Sequence, residues 1–223
     1  LRRPVLPHRE VNAFTTSFEP ADFGVVVQGP IVGTENFTLN AVRSYLTAWP
    51  GAKIVVSTEI KSREEALHAE ALVEAGAEVI DNRGVVIHPG PANFNLQMQK
   101  TRVGLLAIKR AGRTLAVKTR TDQRIYGLRA IEMLAKLEEA FPVEPGVAMQ
   151  RIVFSSLNSF MYRLYGTSDM FQFGHIDDLL NYWDGMLDSR RVLPGLRSFS
   201  QYARENWVEC RLFRGYLRRV GFS

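Results

Sequence analysis

Cysteine is almost absent: Cys210 is the single one in 223 residues. One cysteine permits no internal disulfide and fits a reducing compartment. Long apolar runs are missing too. The stretch VGLLAI at 103–108 is typical and falls far short of the roughly 20 residues that span a bilayer. No charged-then-apolar leader opens the chain, so a soluble protein is expected. The chain begins at Leu1 rather than a methionine, as a fragment would, so the missing leader carries little weight. The glycine motifs that cradle phosphate are also lacking. No G-x-x-x-x-G-K-[ST] occurs, since GPIVGT at 29–34 has no lysine, and no G-x-G-x-x-G opens a helix. P-loop hydrolysis and ordinary dinucleotide oxidoreduction thereby lose support. The four histidines, His8, His68, His88 and His175, have no metal-ligand spacing, and Cys210 reads as a core residue. No G-x-S-x-G elbow marks a serine nucleophile.

What is present suits a globular domain. With 46% hydrophobic and 23% charged residues the chain can bury a full core. We expect one domain over 23–223, preceded by an N-terminal extension over 1–22. Twenty-eight basic residues against 23 acidic ones give a net charge of +5, which favours anionic partners. Nucleic acid, phosphorylated metabolites and acidic lipid headgroups all meet that description.

Short β-rich runs alternate with helical patterns. FGVVVQGPI at 23–31 reads as a first strand stopped by Gly29-Pro30, followed by a helix from about Thr34 to Pro50-Gly51. AKIVVSTE at 52–59 is a second strand, and Ser62 with Glu65 forms a capping box that opens a helix running to Gly76. AEVIDN at 77–82 is a third strand, a loop covers 83–95, and a helix over 95–110 turns Met98, Thr101, Leu105 and Ile108 inward. TLAVKTR at 114–120 is the fourth strand, with a helix over 127–141 and a further strand at 146–154 after it. Such alternation predicts an α/β fold, a mainly parallel central sheet with helices on both faces.

In open sheets of this kind ligands collect outside the carboxyl ends of the strands. LAVKTRTDQRI at 115–125 stands there, and Lys118, Arg120, Asp122 and Arg124 share one parity if the strand continues. Two accounts fit: an ion-pair network closing the strand end, or a diphosphate site in which the cations neutralise phosphate and Asp122 holds a divalent cation. In NFNLQMQKT at 93–101, Asn93, Gln97 and Thr101 form one polar stripe and Asn95 is placed to cap the helix start. Asp177 and Asp178 occupy the first turn of a later helix that carries Leu179, Leu180, Trp183 and Leu187, where the helix dipole already stabilises carboxylates. The last segment, 205–222, places Val208, Leu212, Tyr216 and Val220 on one face and Arg211, Arg214 and Arg218 beside it. That amphipathic basic helix either packs on the core or also meets anionic headgroups.

Taken in order, VVVQGPI, WPGAKIVVST, NFNLQMQKTRVGL, VKTRTDQRI and SDMFQFGHIDDLLNYW resemble the WavE family of lipopolysaccharide-synthesis proteins, over about residues 24–220. These are similar to glycosyltransferases of the GT-A fold. The resemblance implies a GT-A-like nucleotide-diphospho-sugar transferase moving a sugar from a nucleotide-activated donor to a lipopolysaccharide or other surface glycan. By position it puts Gln28, Gly29 and Pro30 against the nucleotide and Thr121-Asp122 in the acidic motif that binds the donor diphosphate through Mn²⁺ or Mg²⁺. That motif usually carries two acids, and Arg120 stands where the first would be, so a metal-independent site with arginines at the leaving group is the other expectation. The donor-binding set expected is Gln28, Gly29, Pro30, Asn95, Gln97, Lys118, Arg120, Asp122 and Arg124, with Asp122 as metal ligand. For the base that takes the acceptor proton the first choice is Asp178, then Asp177 and Asp169. Tyr165, Phe171 and Phe173 are candidates for stacking on sugar rings. The implied acceptor is a glycan or lipid-linked glycan, and the implied place is cytoplasmic, peripheral at the inner membrane. Two competing functions are weighed. A nucleotidyltransferase that makes the activated sugar needs a basic glycine-rich loop after the first strand, which GPIVGT is not. A nucleic-acid-binding module needs basic residues interleaved with exposed aromatics, whereas the concentrated Arg/Asp group favours small anions, so no nucleic acid is expected.

Overall fold

The computed structural model describes residues 22–85, 88–127, 129–144, 146–157, 159, 165–190 and 207–222. The N-terminal extension lies outside them, except for Asp22. Six strands form one mixed sheet in the order β3-β2-β1-β4-β6-β5. These are β1 (Phe23–Gln28), β2 (Lys53–Thr58), β3 (Glu78–Asp81), β4 (Leu115–Arg120), β5 (Val153–Phe154) and β6 (Gln172–His175). β1 to β4 are mutually parallel, β6 runs antiparallel to β4, and β5 pairs antiparallel with β6.

The sheet is covered on both faces, as its Val-rich strands require. Val25, Val27, Ile54, Val56 and Val117 point to a core shared with α1 (Phe37–Ala48), α2 (Arg63–Glu74) and α4 (Ala130–Ala140). Val26, Val55 and Ala116 point the other way, to α3 (Phe94–Arg110), α5 (Ile176–Tyr182) and α6 (Val208–Arg219). The expected capping box is present at α2, with Glu65 N–H donating to the Ser62 hydroxyl. Met98, Thr101, Leu105 and Ile108 are buried, as the periodicity of α3 predicts. α3 lies close on β1 because Gly104 has no side chain, and a Cβ there would stand 2.5 Å from the Val26 Cγ1.

Three expectations need correction. The strand expected over 146–154 is only Val153–Phe154, and β6 was not foreseen at all. Gln172, Gly174 and His175 lack β-branched side chains, and the four-residue strand is held by pairing with β4 rather than by propensity. The helix after it stops at Tyr182, short of Leu187, which is exposed.

Candidate functional site

A cleft of about 440 Å³ opens at the carboxyl ends of β1, β2 and β4. Its floor is the loop after β1. Gly29 N–H donates to the Ser57 carbonyl at 3.2 Å, and Thr121 N–H donates to the Gln28 carbonyl at 3.1 Å, which ties three strand ends together. The Thr38 hydroxyl donates to the Thr121 carbonyl at 3.0 Å and accepts from Val32 N–H at 2.9 Å. Gly29 has φ +133°, and a Cβ there would sit 2.5 Å from the Thr121 Oγ1, so no other residue fits without moving the floor. The facing wall is a 3-10 turn, Pro91–Asn93, and the first half of α3, which contribute Asn93, Leu96, Gln97 and Lys100. Ala92 and Asn93 are held in the left-handed region at φ 50° and 59°, a conformation that costs a residue bearing a Cβ on the order of 1 kcal/mol.

Two ion-pair groups face each other across this space. Arg120 gives its Nε–H and Nη2–H to the two oxygens of Asp122 at 2.8 and 2.7 Å. The Arg120 hydrogen bonds hold the Asp122 carboxyl below its ordinary range, and that interaction raises the guanidinium in turn. Opposite, Glu59 Oε2 accepts from Lys100 Nζ at 3.1 Å and lies 3.0 Å from Lys61 Nζ. Desolvation pushes the Glu59 carboxyl up, but hydrogen bonds from Lys61 and Lys100 outweigh it and leave it lowered. Lys100 is buried at the wall, whereas the Lys61 side chain is 65% exposed at the mouth. None of this second group was foreseen. Glu59 and Lys100 are 41 residues apart, and no local pattern joins them. The signal that was available is position: Glu59 follows the carboxyl end of β2, where this architecture gathers ligands.

Of the expected donor residues, Gln28, Gly29, Pro30, Gln97, Arg120 and Asp122 line the cleft together. Lys118 lies beneath it instead. It is 0% exposed, its Nζ sits 5.1 Å from the centre of the Trp183 ring, and it donates to the Asp169 carbonyl. Burial depresses its pKa to about 8, against the opposing pull of Asp169. Arg124 is exposed over the Tyr126 ring, 5.3 Å from its centre, because β4 ends at Arg120 and a turn follows, which breaks the assumed parity. Asn95 is buried outside the cleft. Its amide donates to the carbonyls of His88 and Asp188 and accepts from Asp188 N–H, clamping the start of α3 to the segment before α6.

The three candidate bases separate. β6 runs against β4, so His175 pairs with Leu115 and α5 begins at the edge opposite the cleft. That edge is one strand length away, roughly 20 Å. Asp178 is buried there and accepts from Met149 N–H at 3.1 Å and Gln150 N–H at 2.8 Å. Asp177 meets Lys109 Nζ at 2.6 Å, at the far end of α3. Neither carboxylate reaches the cleft. Asp169 lies three residues before β6, at the cleft end, and its carboxylate accepts from the amide of Gln97, a lining residue. Among the proposed stacking residues, Phe173 is fully buried in the core and Phe171 packs against it, while Tyr165 is exposed beside Phe213 and Arg214.

A resident divalent cation does not fit these residues. Magnesium or manganese wants near-octahedral oxygen and draws on one or two free carboxylates. Both oxygens of Asp122 are taken by one guanidinium, and Glu59 is shared between two lysines. Among the described residues no three His, Cys, Asp or Glu side chains come together to hold a metal. The same residues instead suit an anion: Lys61, Lys100 and Arg120 outnumber the two carboxylates facing the cleft.

No curated protein matches the chain. Residues 23–219, which include every strand and helix described above, match a family of proteins of lipopolysaccharide synthesis, and the chain belongs to that family, WavE.

Proposed function

We propose that the chain is a GT-A-like glycosyltransferase that binds a nucleotide-activated sugar in this cleft and transfers the sugar to a surface-glycan acceptor. The observation that carries the reading is the placement of Arg120–Asp122 and Lys61–Glu59–Lys100 around one space at the carboxyl ends of β1, β2 and β4. Nucleotides collect at such strand ends, and a departing diphosphate needs fixed positive charge where its own charge develops. Gln28, Gly29 and Pro30 receive the nucleotide, and the three cations face its phosphates. Asp169 takes the acceptor proton, held for that task by Gln97 through its side chain and by Lys118 through its carbonyl.

The acceptor side is read from the groove next to the cleft. Phe94 lines it, one residue from the cleft-lining Asn93, together with Arg214, Arg218 and the 89% exposed Met186. Among the described residues no helix is long and apolar enough to cross a membrane. A basic groove with an apolar rim suits an anionic membrane surface, which would bring a lipid-linked acceptor beside the donor. The test of the enzyme reading is a thermal-shift screen with UDP-, GDP-, CMP- and dTDP-sugars, followed by transfer of label from the stabilising donor to glycolipid. A ligand that binds only the folded chain raises its melting temperature. Release of inorganic pyrophosphate from a nucleoside triphosphate and a sugar phosphate, with no transfer, would replace this reading by nucleotidyl transfer.

A further inference from the structure

The misfit between the cleft and a divalent ion carries a consequence for the donor. We propose that the cleft holds the donor diphosphate without a resident metal: Lys61, Lys100 and Arg120 take the place of the ion, and Glu59 and Asp122 aim them. This rests on the donor-binding reading above and specifies how that site works.

The geometry assigns distinct parts. Arg120 spends two of its five N–H groups on Asp122, which fixes the plane of the guanidinium and leaves three donors for phosphate oxygens. The Asp122 side chain is 48% exposed and the Arg120 side chain 36%, so the pair stands at the surface of the cleft, where a ligand can reach it. Lys100 is fixed by burial, with its ammonium delivered through the wall to Glu59. Lys61, at the mouth, shares the same Glu59 oxygen and is long enough to swing from it to an arriving phosphate. A donor with one charge on each phosphate meets a cleft whose cations exceed its carboxylates, whereas a divalent cation would meet three like charges at close range. In a direct displacement the acceptor oxygen bonds to the anomeric carbon as the bond from that carbon to the diphosphate oxygen breaks. Both electrons of that bond stay on the diphosphate, and the acceptor proton passes to the Asp169 carboxylate. The extra negative charge on the diphosphate arises between Arg120 and the two lysines, so they stabilise the leaving group more than the bound donor.

The test is calorimetric binding of UDP, GDP, CDP and dTDP, and of the matching monophosphates, to the wild-type chain in EDTA and in Mn²⁺. At least one diphosphate is expected to bind in EDTA with an affinity within about threefold of that in Mn²⁺, and to weaken with rising salt. Lys61→Ala, at an exposed position that the fold does not need, and Lys100→Gln should each weaken that diphosphate by about tenfold or more and the monophosphate by less. Binding that disappears in EDTA and returns with Mn²⁺ overturns the proposal and keeps the donor-binding reading. Unchanged affinity in Lys61→Ala and Lys100→Gln, both folded by circular dichroism, also overturns it. If none of the four diphosphates binds under either condition, the donor-binding reading falls and the proposal falls with it.

Discussion

Replacing Asp122 by asparagine separates two roles that a bare charge count confuses. Asp122 is ion-paired with Arg120, with Lys118 acting on it at longer range, while Arg124 lies over Tyr126 instead. Because more than a third of each side chain is exposed, the pair is worth no more than about 1 kcal/mol to the fold. For a chain of this size that is a melting-temperature loss of at most about 4 °C. Electrostatics alone would then predict tighter diphosphate binding, because the variant makes the cleft more positive. The structure argues the reverse. An asparagine offers Arg120 one acceptor in place of two, the guanidinium is no longer held in plane, and a displacement of about 1 Å at a reacting centre costs about 10²-fold in rate. We expect Asp122→Asn to melt within a few degrees of wild type and to lose about 10²-fold in sugar transfer, equally in EDTA and in Mn²⁺. Arg120→Lys should behave alike, because an ammonium cannot make the two-point contact. The assay is initial transfer rate from the stabilising sugar nucleotide, with melting followed on the same samples. A variant that melts more than about 10 °C early yet transfers at the wild-type rate when folded would refute the reasoning and leave a structural ion pair.

Three further outcomes follow from the rest of the molecule. Asp178→Asn should lose about 1–2 kcal/mol of stability, because its buried carboxylate is the acceptor for two part-buried backbone N–H groups, and should transfer normally when folded; a folded variant without transfer would return Asp178 to the chemistry. Glu138 is buried with neither carboxylate oxygen partnered among the described residues, and desolvation, reinforced by Asp178, raises its pKa to about 8. A raised carboxyl contributes stability that is full below its unfolded value of 4.5 and is lost as pH climbs towards 8, so Glu138→Gln should match wild type in melting at pH 5 and exceed it at pH 8. A constant gap between the two proteins across that range would contradict the assignment. Arg214→Glu with Arg218→Glu should abolish low-salt sedimentation with anionic vesicles and spare binding of the sugar nucleotide, at about 1 kcal/mol per arginine near such a surface; equal sedimentation of wild type with neutral and anionic vesicles would count against membrane contact.

The sequence was most legible where local and global signals agree. β1 to β4 could be read because their β-branched runs alternate with helices whose apolar stripes are unbroken, and the capping box at Ser62 marks a helix start without help from the fold. The rule that ligands meet strand ends pointed to Arg120 and Asp122, the family resemblance pointed to Gln28, Gly29 and Pro30, and all five line one cleft. Side-chain direction was harder. Lys118 shares its parity with Arg120 but lies two residues deeper, so it ends under the sheet against Trp183 instead of in the cleft. Asp177 and Asp178 were misplaced for a topological reason: the direction of β6 decides which edge of the sheet α5 starts from, and four residues lacking β-branched side chains give no hint that the strand is antiparallel. Glu59 and Lys100 meet only through the packing of α3 beside the end of β2, which no local pattern encodes.

The central claim is that the cleft at the ends of β1, β2 and β4 is the donor site, and amide hydrogen exchange with the stabilising sugar nucleotide tests it most directly. Bound donor should slow exchange at 28–34, 59–61, 93–100 and 120–122, and leave α5 with its Asp177 and Asp178 unchanged. Protection confined to the α6 groove or to the apolar groove lined by Phe154, Phe213 and Tyr216, with the cleft amides unaltered, would contradict it.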